Sequence, residues 1–209
     1  MNRKSYNRQW QKRLIVTLFF VLCAATCMGG CVSSQEVPID GTDEALTQPG
    51  YEWLVVPMTD VIKAERFTLQ EYTKTGTPVV IHTFAIWCPA CTMQLQVSTA
   101  FLEEFPGKAH IIAIDVEEGE SMQSIAQHVQ KNAFAGTFAA APKELIQGLI
   151  DTFDASILLT MPQTIIIVGN DIFHLGPSLS VRTTQGLSAV IDEIYETLAL
   201  INEASLDGT

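Results

Sequence analysis

The chain has 209 residues and a formal net charge of −11, and hydrophobic residues make up 47% of it. That hydrophobic fraction is ordinary for a packed globular protein and excludes disorder over the whole chain. The charge is uneven, because residues 1–31 hold five basic residues and no acidic one, whereas residues 32–209 hold seven basic and 23 acidic residues. Such an acidic excess repels phosphate, so we expect no nucleic-acid partner.

The first 31 residues are predicted to be an export signal. Basic residues run to Arg13, an uncharged stretch covers Leu14–Val32, and the sequence Met28-Gly29-Gly30-Cys31 lies at its end. Small residues before a cysteine resemble the lipobox of prokaryotic lipoproteins, which implies lipidation of Cys31. The alternative is an uncleaved anchor, because the uncharged stretch is long enough to span a bilayer. Both interpretations predict an exported protein held at the outer face of the cytoplasmic membrane, since the basic flank stays inside.

Residues 32–50 are predicted to be an acidic, flexible tether, because proline, glycine and serine interrupt every periodic pattern. We expect one domain over residues 51–200 and a short tail over residues 201–209. Within the domain, the run Val79–Phe84 is apolar at nearly every position, as in a buried central strand.

Strands and helices alternate along the predicted domain. In chain order we expect a strand at Tyr51–Val56, an ambiguous segment at Phe67–Tyr72, a strand at Val79–Phe84, a helix over residues 91–105, a strand at His110–Val116, helices starting at Ser121 and Pro142, strands at Thr164–Val168 and Ile172–Leu175, and a last helix from Thr184. This order favours a central mixed sheet covered on both faces.

Two stretches between these elements have weaker signals. Phe134–Ala141 is small and apolar without a clear period, and we interpret it as a buried insert, with a partner-binding lip near the site as the alternative. The acidic sequence Glu117-Glu118-Gly119-Glu120 is predicted to be a solvated loop at a strand end, with cation binding as the alternative.

Two cysteines in the sequence Trp87-Cys88-Pro89-Ala90-Cys91 carry the predicted chemistry. Cys88 falls where a buried strand gives way to a helix, and the unsatisfied N–H groups at a helix start stabilise a thiolate. Only a thiolate attacks a disulfide, and Cys91, one turn further on, is placed to resolve the mixed disulfide. Pro89 at the first helical position loses no hydrogen bond. The pattern predicts a redox pair that needs no cofactor.

The same pair has two structural interpretations. Two thiolates supply half of a zinc site, but residues 32–209 contain no third cysteine and the four histidines are scattered, so we expect no metal. A structural disulfide is the other interpretation, although closing so short a loop contributes little through chain entropy.

The segment from Phe84 to Cys91 resembles the active site of thioredoxin-fold proteins, in particular the membrane-tethered, extracytoplasmic thiol–disulfide oxidoreductases, including those that serve cytochrome c maturation. The sequence Thr160-Met161-Pro162-Gln163-Thr164 is similar to the cis-proline loop of that family. The resemblance covers about residues 60–200. It implies a thioredoxin-like α/β fold with a central mixed sheet, helices on both faces and an inserted helical segment before the cis-proline.

The resemblance also implies roles for particular residues. Cys88 is the expected nucleophile and Cys91 the resolving thiol. Trp87 is expected to pack over the site, with plain core packing as the alternative. A cis peptide bond at Pro162 leaves the backbone of Met161 free to pair with an extended substrate chain. For this proline the alternative is an ordinary residue at the start of a strand.

Two positions depart from the family pattern. Thioredoxins carry a buried aspartate six residues before the nucleophile, where this chain has His82, and tethered relatives often carry a glutamate where this chain has Gln94. His82 is therefore a candidate proton acceptor for Cys91, since imidazole titrates near neutral pH. The alternative is a satisfied core histidine that faces the other side of the sheet.

These observations predict a membrane-tethered thiol–disulfide oxidoreductase that acts on extracytoplasmic protein disulfides, with the reductase direction favoured over the oxidase direction. The expected partners are protein dithiols or disulfides and a membrane donor or acceptor of electrons. The alternative is a non-catalytic thioredoxin-fold binding module or a carrier of a soft metal such as copper. Copper proteins of this fold usually carry a longer CxxxC spacing, which disfavours the carrier.

Overall fold

A computed structural model describes residues 51–177 and 182–206. The predicted export signal, its lipidation site Cys31 and the acidic tether lie outside these residues. No helix within the described ranges combines the length and the apolar character that a membrane crossing requires. The last helix continues to Leu206, beyond the predicted domain boundary at residue 200.

Within residues 51–177 and 182–206, seven strands form two sheets. A small antiparallel pair consists of β1 (Met58–Thr59) and β2 (Arg66–Phe67), and the main sheet consists of β3 (Val79–Phe84), β4 (His110–Asp115), β5 (Thr137–Ala140), β6 (Thr164–Val168) and β7 (Asp171–Gly176). The strand order in the main sheet is β5-β4-β3-β6-β7. Strands β3, β4 and β5 are parallel, and β6 and β7 join them antiparallel. The predicted mixed sheet is confirmed, with the apolar strand β3 at its centre.

In the part of the chain that the structure describes, six α-helices cover the sheet: α1 (Leu69–Thr73), α2 (Pro89–Glu104), α3 (Met122–Asn132), α4 (Lys143–Phe153), α5 (Ser156–Leu159) and α6 (Thr184–Leu206). Side chains of α2, α3 and α6 pack against one face of the sheet. Side chains of α1, α4 and α5 pack against the other face, together with Trp53 and Leu54. Because side chains alternate along a strand, neighbouring residues of β3 and β4 serve these two cores in turn.

The predicted strand at Tyr51–Val56 is wrong, because a 3₁₀ helix occupies Glu52–Val55. Its residues Trp53 and Leu54 are adjacent in sequence and both buried, which strand alternation would not allow on one face. Gly148 of α4 lies directly against the Trp53 side chain, so that a Cβ at this position would be 2.5 Å from the Cβ of Trp53. This close approach allows the 3₁₀ helix to pack directly against α4.

The segment Phe134–Ala141 contains the edge strand β5, which sequence periodicity did not reveal. β5 pairs in parallel with β4, and its residues Phe138 and Ala139 are buried on opposite faces. The segment is thus part of the sheet and of both cores, which agrees with a buried insert and not with a surface lip. Its alternation is hidden because both faces of this strand are apolar.

Candidate active site

Cys88 and Cys91 lie at the start of α2 and form a disulfide, with their Cα atoms 5.3 Å apart. Cys88 is the N-cap residue in an extended conformation, and Pro89 is the first helical residue. The Sγ of Cys88 accepts the N–H of Cys91 at 3.1 Å. The loop between β3 and α2 is closed by a hydrogen bond from the N–H of Cys88 to the carbonyl of Ala85. The strand therefore delivers Cys88 directly to the positive end of a long helix.

The two sulfur-bearing residues differ in accessibility. Cys88 is 6% exposed and Cys91 is 1% exposed. When the disulfide is reduced, the helix terminus and the N–H at its Sγ stabilise a thiolate on Cys88, because both place positive charge beside the sulfur. The geometry therefore favours Cys88 for attack from outside and Cys91 for attack from within.

The acidic loop between β4 and α3 holds the active-site loop through two carboxylates. The Trp87 Nε1–H donates to Glu117 Oε2 at 3.0 Å, although the Trp87 side chain is 62% exposed. The backbone N–H of Ile86 donates to Glu120 Oε2 at 3.0 Å. The indole is thus oriented beside Cys88 by a polar contact and does not belong to the apolar core.

The loop before β6 lies at the same end of the sheet as the cysteines. Its Met161–Pro162 peptide bond is cis, and Met161 packs against the core cluster that contains both cysteines. The loop is fastened to β3 by two hydrogen bonds of 3.1 Å, from Thr83 N–H to the Gln163 carbonyl and from Gln163 N–H to Thr83 Oγ1. The structure thus brings Met161 and Pro162 to the site that the resemblance implied.

His82 is fully buried beneath α2, on the sheet face that also carries the cysteine cluster. Its Nε2 lies 2.9 Å from Ser98 Oγ and its Nδ1 lies 3.1 Å from Thr164 Oγ1, so hydroxyl groups satisfy both ring nitrogens. Burial lowers the pKa of His82 to about 4. Ser98 follows Cys91 by seven residues, which is two helical turns or about 10 Å along the axis. This geometry favours a neutral structural histidine over a proton acceptor.

Asp115 is the last residue of β4 and is 2% exposed. It lies on the same sheet face as Ala113, two residues earlier, and Ala113 packs in the cysteine cluster. Its Oδ1 accepts the N–H of Glu117 at 2.9 Å, whereas its buried Oδ2 has no hydrogen-bond partner among the described residues. Burial, and then the nearby Glu120 carboxyl, raises the pKa of Asp115 to about 8.

Sequence reasoning missed Asp115 and the contacts of the acidic loop. The available signal was an acidic residue that ends an otherwise apolar strand, five residues before Glu120. The loop is solvated at Glu117 and Glu118, as predicted, but Glu120 is partly buried. Within the described ranges no three His, Cys, Asp or Glu side chains come together in a way that would hold a metal ion.

Residues 56–173, more than half of the chain, match the model of the AhpC/TSA family. The chain belongs to the AhpC/TSA family. The match covers the cysteine pair, the acidic loop and the cis-proline, so every part of the candidate site falls within the region that defines the family. No curated protein is similar enough to this AhpC/TSA chain to count as a match.

Solved structures confirm the thioredoxin-like fold of this AhpC/TSA protein. A secreted Mycobacterium tuberculosis disulfide oxidoreductase homologous to E. coli DsbE is 13% identical, and the match covers 68% of this chain and 98% of that one with a TM-score of 0.53. A DsbF homologue from Corynebacterium diphtheriae is 18% identical, with coverages of 66% and 83% and a TM-score of 0.51.

A third similar structure comes from a different branch of enzyme chemistry. The bacterioferritin comigratory protein of Xanthomonas campestris, which has alkyl peroxide reduction activity, is 15% identical, with coverages of 72% and 98% and a TM-score of 0.52. Identities this low show the fold alone. Family and fold together support a thiol–disulfide oxidoreductase or a peroxiredoxin-like enzyme.

Proposed function

We propose that this protein is a membrane-tethered thiol–disulfide oxidoreductase that acts on extracytoplasmic protein disulfides through Cys88 and Cys91. The observation that carries the proposal is the disulfide between these residues at the start of α2. A disulfide between cysteines only three positions apart closes a very short loop and contributes little to stability. Its role is therefore better explained by reversible reduction and oxidation. The AhpC/TSA family match supports redox chemistry on thiols in the same region.

The reaction runs in two exchanges that balance without a cofactor. In the reductase direction, the Cys88 thiolate attacks one sulfur of the partner disulfide, that bond breaks, and the partner's other sulfur leaves as a thiolate. Cys91 then attacks the Cys88 sulfur and releases the partner's second thiolate. Two electrons pass to the partner, the Cys88–Cys91 disulfide forms, and a donor dithiol at the membrane must reduce it again.

The partner surface surrounds the exposed Trp87 and the cis-proline loop. An extended partner chain would pair with the backbone of Met161, as in strand addition. The Trp87 indole, held by Glu117, would cover the partner disulfide from the other side. Pro162 supports this arrangement because its loop is fastened to β3, the strand that leads into the cysteines.

The proposal is tested with the full chain in detergent, by measuring reduction of a disulfide-bonded protein and trapping of mixed disulfides. Cys88→Ser should abolish exchange, because the attacking thiol is lost and the remaining Cys91 thiol is buried. Cys91→Ser should accumulate a mixed disulfide on Cys88, because nothing resolves it. Cys23→Ser is the matched control and should exchange like the unaltered protein. Turnover of an alkyl hydroperoxide with no protein-disulfide exchange would instead favour the peroxiredoxin-like alternative.

The direction of electron flow follows from the reduction potential of the pair. We expect a value near or below that of thioredoxin, about −270 mV, for a reductase, whereas an oxidase would lie near about −120 mV. Equilibration in graded dithiol buffers, followed by alkylation and mass measurement, gives this value. A pair that stays oxidised until the chain unfolds would favour the non-catalytic binding module.

Membrane tethering is a separate part of the proposal and rests on the N-terminal sequence. If Cys31 is lipidated, Cys31→Ser should remove the lipid mass and leave the signal uncleaved, while Cys27→Ser should keep the lipid. If both variants stay in the membrane at full length, the uncleaved anchor is correct.

A further inference from the structure

Two carboxyl groups lie beneath the loop that leads into the cysteines, and the mechanism above does not use them. Resting on the proposed function, we propose that Asp115 and Glu120 form a proton-exchanging pair that serves Cys91. Asp115 ends β4 and Glu120 precedes α3, so the pair belongs to different elements from the cysteines. It would supply the proton step that His82 is poorly placed to perform.

Glu120 is tied to the active-site loop by a direct contact. Its Oε2 accepts the backbone N–H of Ile86 at 3.0 Å, two residues before Cys88. The same loop is closed by the hydrogen bond from Cys88 N–H to the Ala85 carbonyl at 3.1 Å. The Glu120 carboxylate is therefore bonded directly to the loop that carries Cys88.

Asp115 reaches the same region from the sheet. It pairs with Phe84 of β3, the strand residue from which the active-site loop departs. It lies on the face of Ala113, which belongs to the same core cluster as both cysteines. Its Oδ2 is buried without a donor, and a buried carboxylate oxygen in that state is costly. A proton placed between the Asp115 and Glu120 carboxyls removes that cost, because one acid then donates to the other.

The surroundings favour retention of that proton at neutral pH. The neighbours of Asp115 across the sheet, Phe84 and Ala140, are apolar. Among the described residues, the charged groups that face the pair are Glu117, which adds negative charge, and His128 of α3. Burial lowers the pKa of His128, so this histidine is a weak counter-charge for Glu120. Burial and the nearby Glu120 carboxyl raise the pKa of Asp115 to about 8.

The proton step balances in both directions. When a donor thiolate attacks the Cys88 sulfur, the Cys88–Cys91 bond breaks, its electron pair goes to the Cys91 sulfur, and the pair gives its proton to that sulfur. In the reverse half-reaction, the Cys91 thiol returns its proton to the pair and attacks the Cys88 sulfur of the mixed disulfide. The partner then leaves as a thiolate, and the Asp115–Glu120 pair again holds one proton.

The test follows reduction of the Cys88–Cys91 disulfide in the full chain by dithiothreitol, with the rate divided by the concentration of dithiothreitol thiolate. For the unaltered protein this corrected rate should fall as the pH rises through about 8, because the protonated pair is lost. In Asp115→Asn the rate at neutral pH should be lower by about a hundredfold, the lower end of what a positioned proton donor contributes. Its pH profile should be flat.

Variants of Glu120 separate proton transfer from loop positioning. Glu120→Gln keeps an oxygen that accepts the Ile86 N–H but exchanges no proton, whereas Glu120→Ala loses both functions. We expect the glutamine variant to be nearly as slow as the alanine variant. Glu118→Gln removes one negative charge from the same loop at an exposed position and should behave like the unaltered protein.

An infrared difference spectrum between reduced and oxidised protein detects the proton on the pair directly, and this signal does not depend on the stability of the loop. It should show the carbonyl band of a protonated carboxyl, and Asp115→Asn should lack that band. If both Asp115→Asn and Glu120→Gln keep the unaltered rate and pH profile, the inference is wrong while the proposed function stands. If the unaltered protein itself exchanges no disulfide, the proposed function fails first and the inference falls with it.

Discussion

His82 and Asp115 lie on neighbouring strands and on the same face of the sheet, yet their environments are opposite. His82 is enclosed beneath the middle of α2, and two hydroxyl groups satisfy its ring. Asp115 lies at the strand end beneath the active-site loop, with one oxygen bonded and the other buried without a donor. Satisfied buried groups stabilise a fold, whereas an unsatisfied one at a site edge is a candidate for chemistry.

The two residues also give stability opposite dependences on pH. The pKa of His82 is lowered from 6.5 to about 4, so its neutral form is favoured in the fold and stability is lost as the pH falls through that window. The pKa of Asp115 is raised from 3.8 to about 8, so stability is lost as the pH rises between those values. Between about pH 4 and pH 6.5 the two dependences oppose each other.

The largest expected effect on stability is that of His82→Ala. The change leaves a cavity and removes the hydrogen-bond partner of the Ser98 and Thr164 hydroxyls. The free energy of unfolding should therefore fall by about 3 to 5 kcal/mol. Urea denaturation at neutral pH measures this loss.

The milder His82→Asn variant keeps hydrogen-bonding capacity and tests the role of the ring in chemistry. We expect its folded form to exchange disulfides within about threefold of the unaltered protein, since the ring bonds to Ser98, which follows Cys91 by two helical turns. A loss of about a hundredfold, as expected when a positioned base is removed, would mean that His82 is the proton acceptor and not a purely structural residue.

A smaller effect of opposite sign is expected for the stability of Asp115→Asn. The amide stays neutral and supplies an N–H to Glu120, so the unfolding free energy should increase by about 2 kcal/mol at neutral pH. The gain should grow from about pH 4 to about pH 8, by at most about 1.4 kcal/mol per pH unit.

Denaturation of Asp115→Asn and of the unaltered protein at several pH values checks both the sign and the window. A gain that is independent of pH would mean that Asp115 is ionised in the fold at neutral pH. In that case the proton between Asp115 and Glu120 would be absent, and the contrast with His82 would be one of packing alone.

The smallest expected effect is that of Trp87→Phe. The change removes one hydrogen bond to Glu117 from an exposed side chain, so the unfolding free energy should change by less than about 1 kcal/mol. If Trp87 covers the partner disulfide, exchange with a protein partner should slow more than exchange with dithiothreitol. Glu117→Gln, which keeps an acceptor for the indole, is the matched control and should preserve both rates.

Much of the fold could be predicted from local pattern. The run Val79–Phe84 is apolar at nearly every position and proved to be the central strand, and Pro89 marks the start of the helix that carries the cysteines. The 3₁₀ helix at Glu52–Val55 could not be predicted, because its conformation depends on the approach of Gly148 from a distant helix. The edge strand β5 could not be recognised from the sequence, because apolar packing on both of its faces leaves no alternation of apolar and polar residues.

For the site, the amino-acid sequence by itself identified Cys88 and Cys91 as the reactive residues, since two cysteines at the start of a helix after a buried strand favour a redox pair. Only the tertiary structure decided what surrounds the pair. Parallel pairing of β3 with β4 places Asp115 beside the root of the active-site loop, 27 positions after Cys88 in the chain. Burial and a missing hydrogen-bond donor are properties of the assembled fold, because groups distant in sequence create them together.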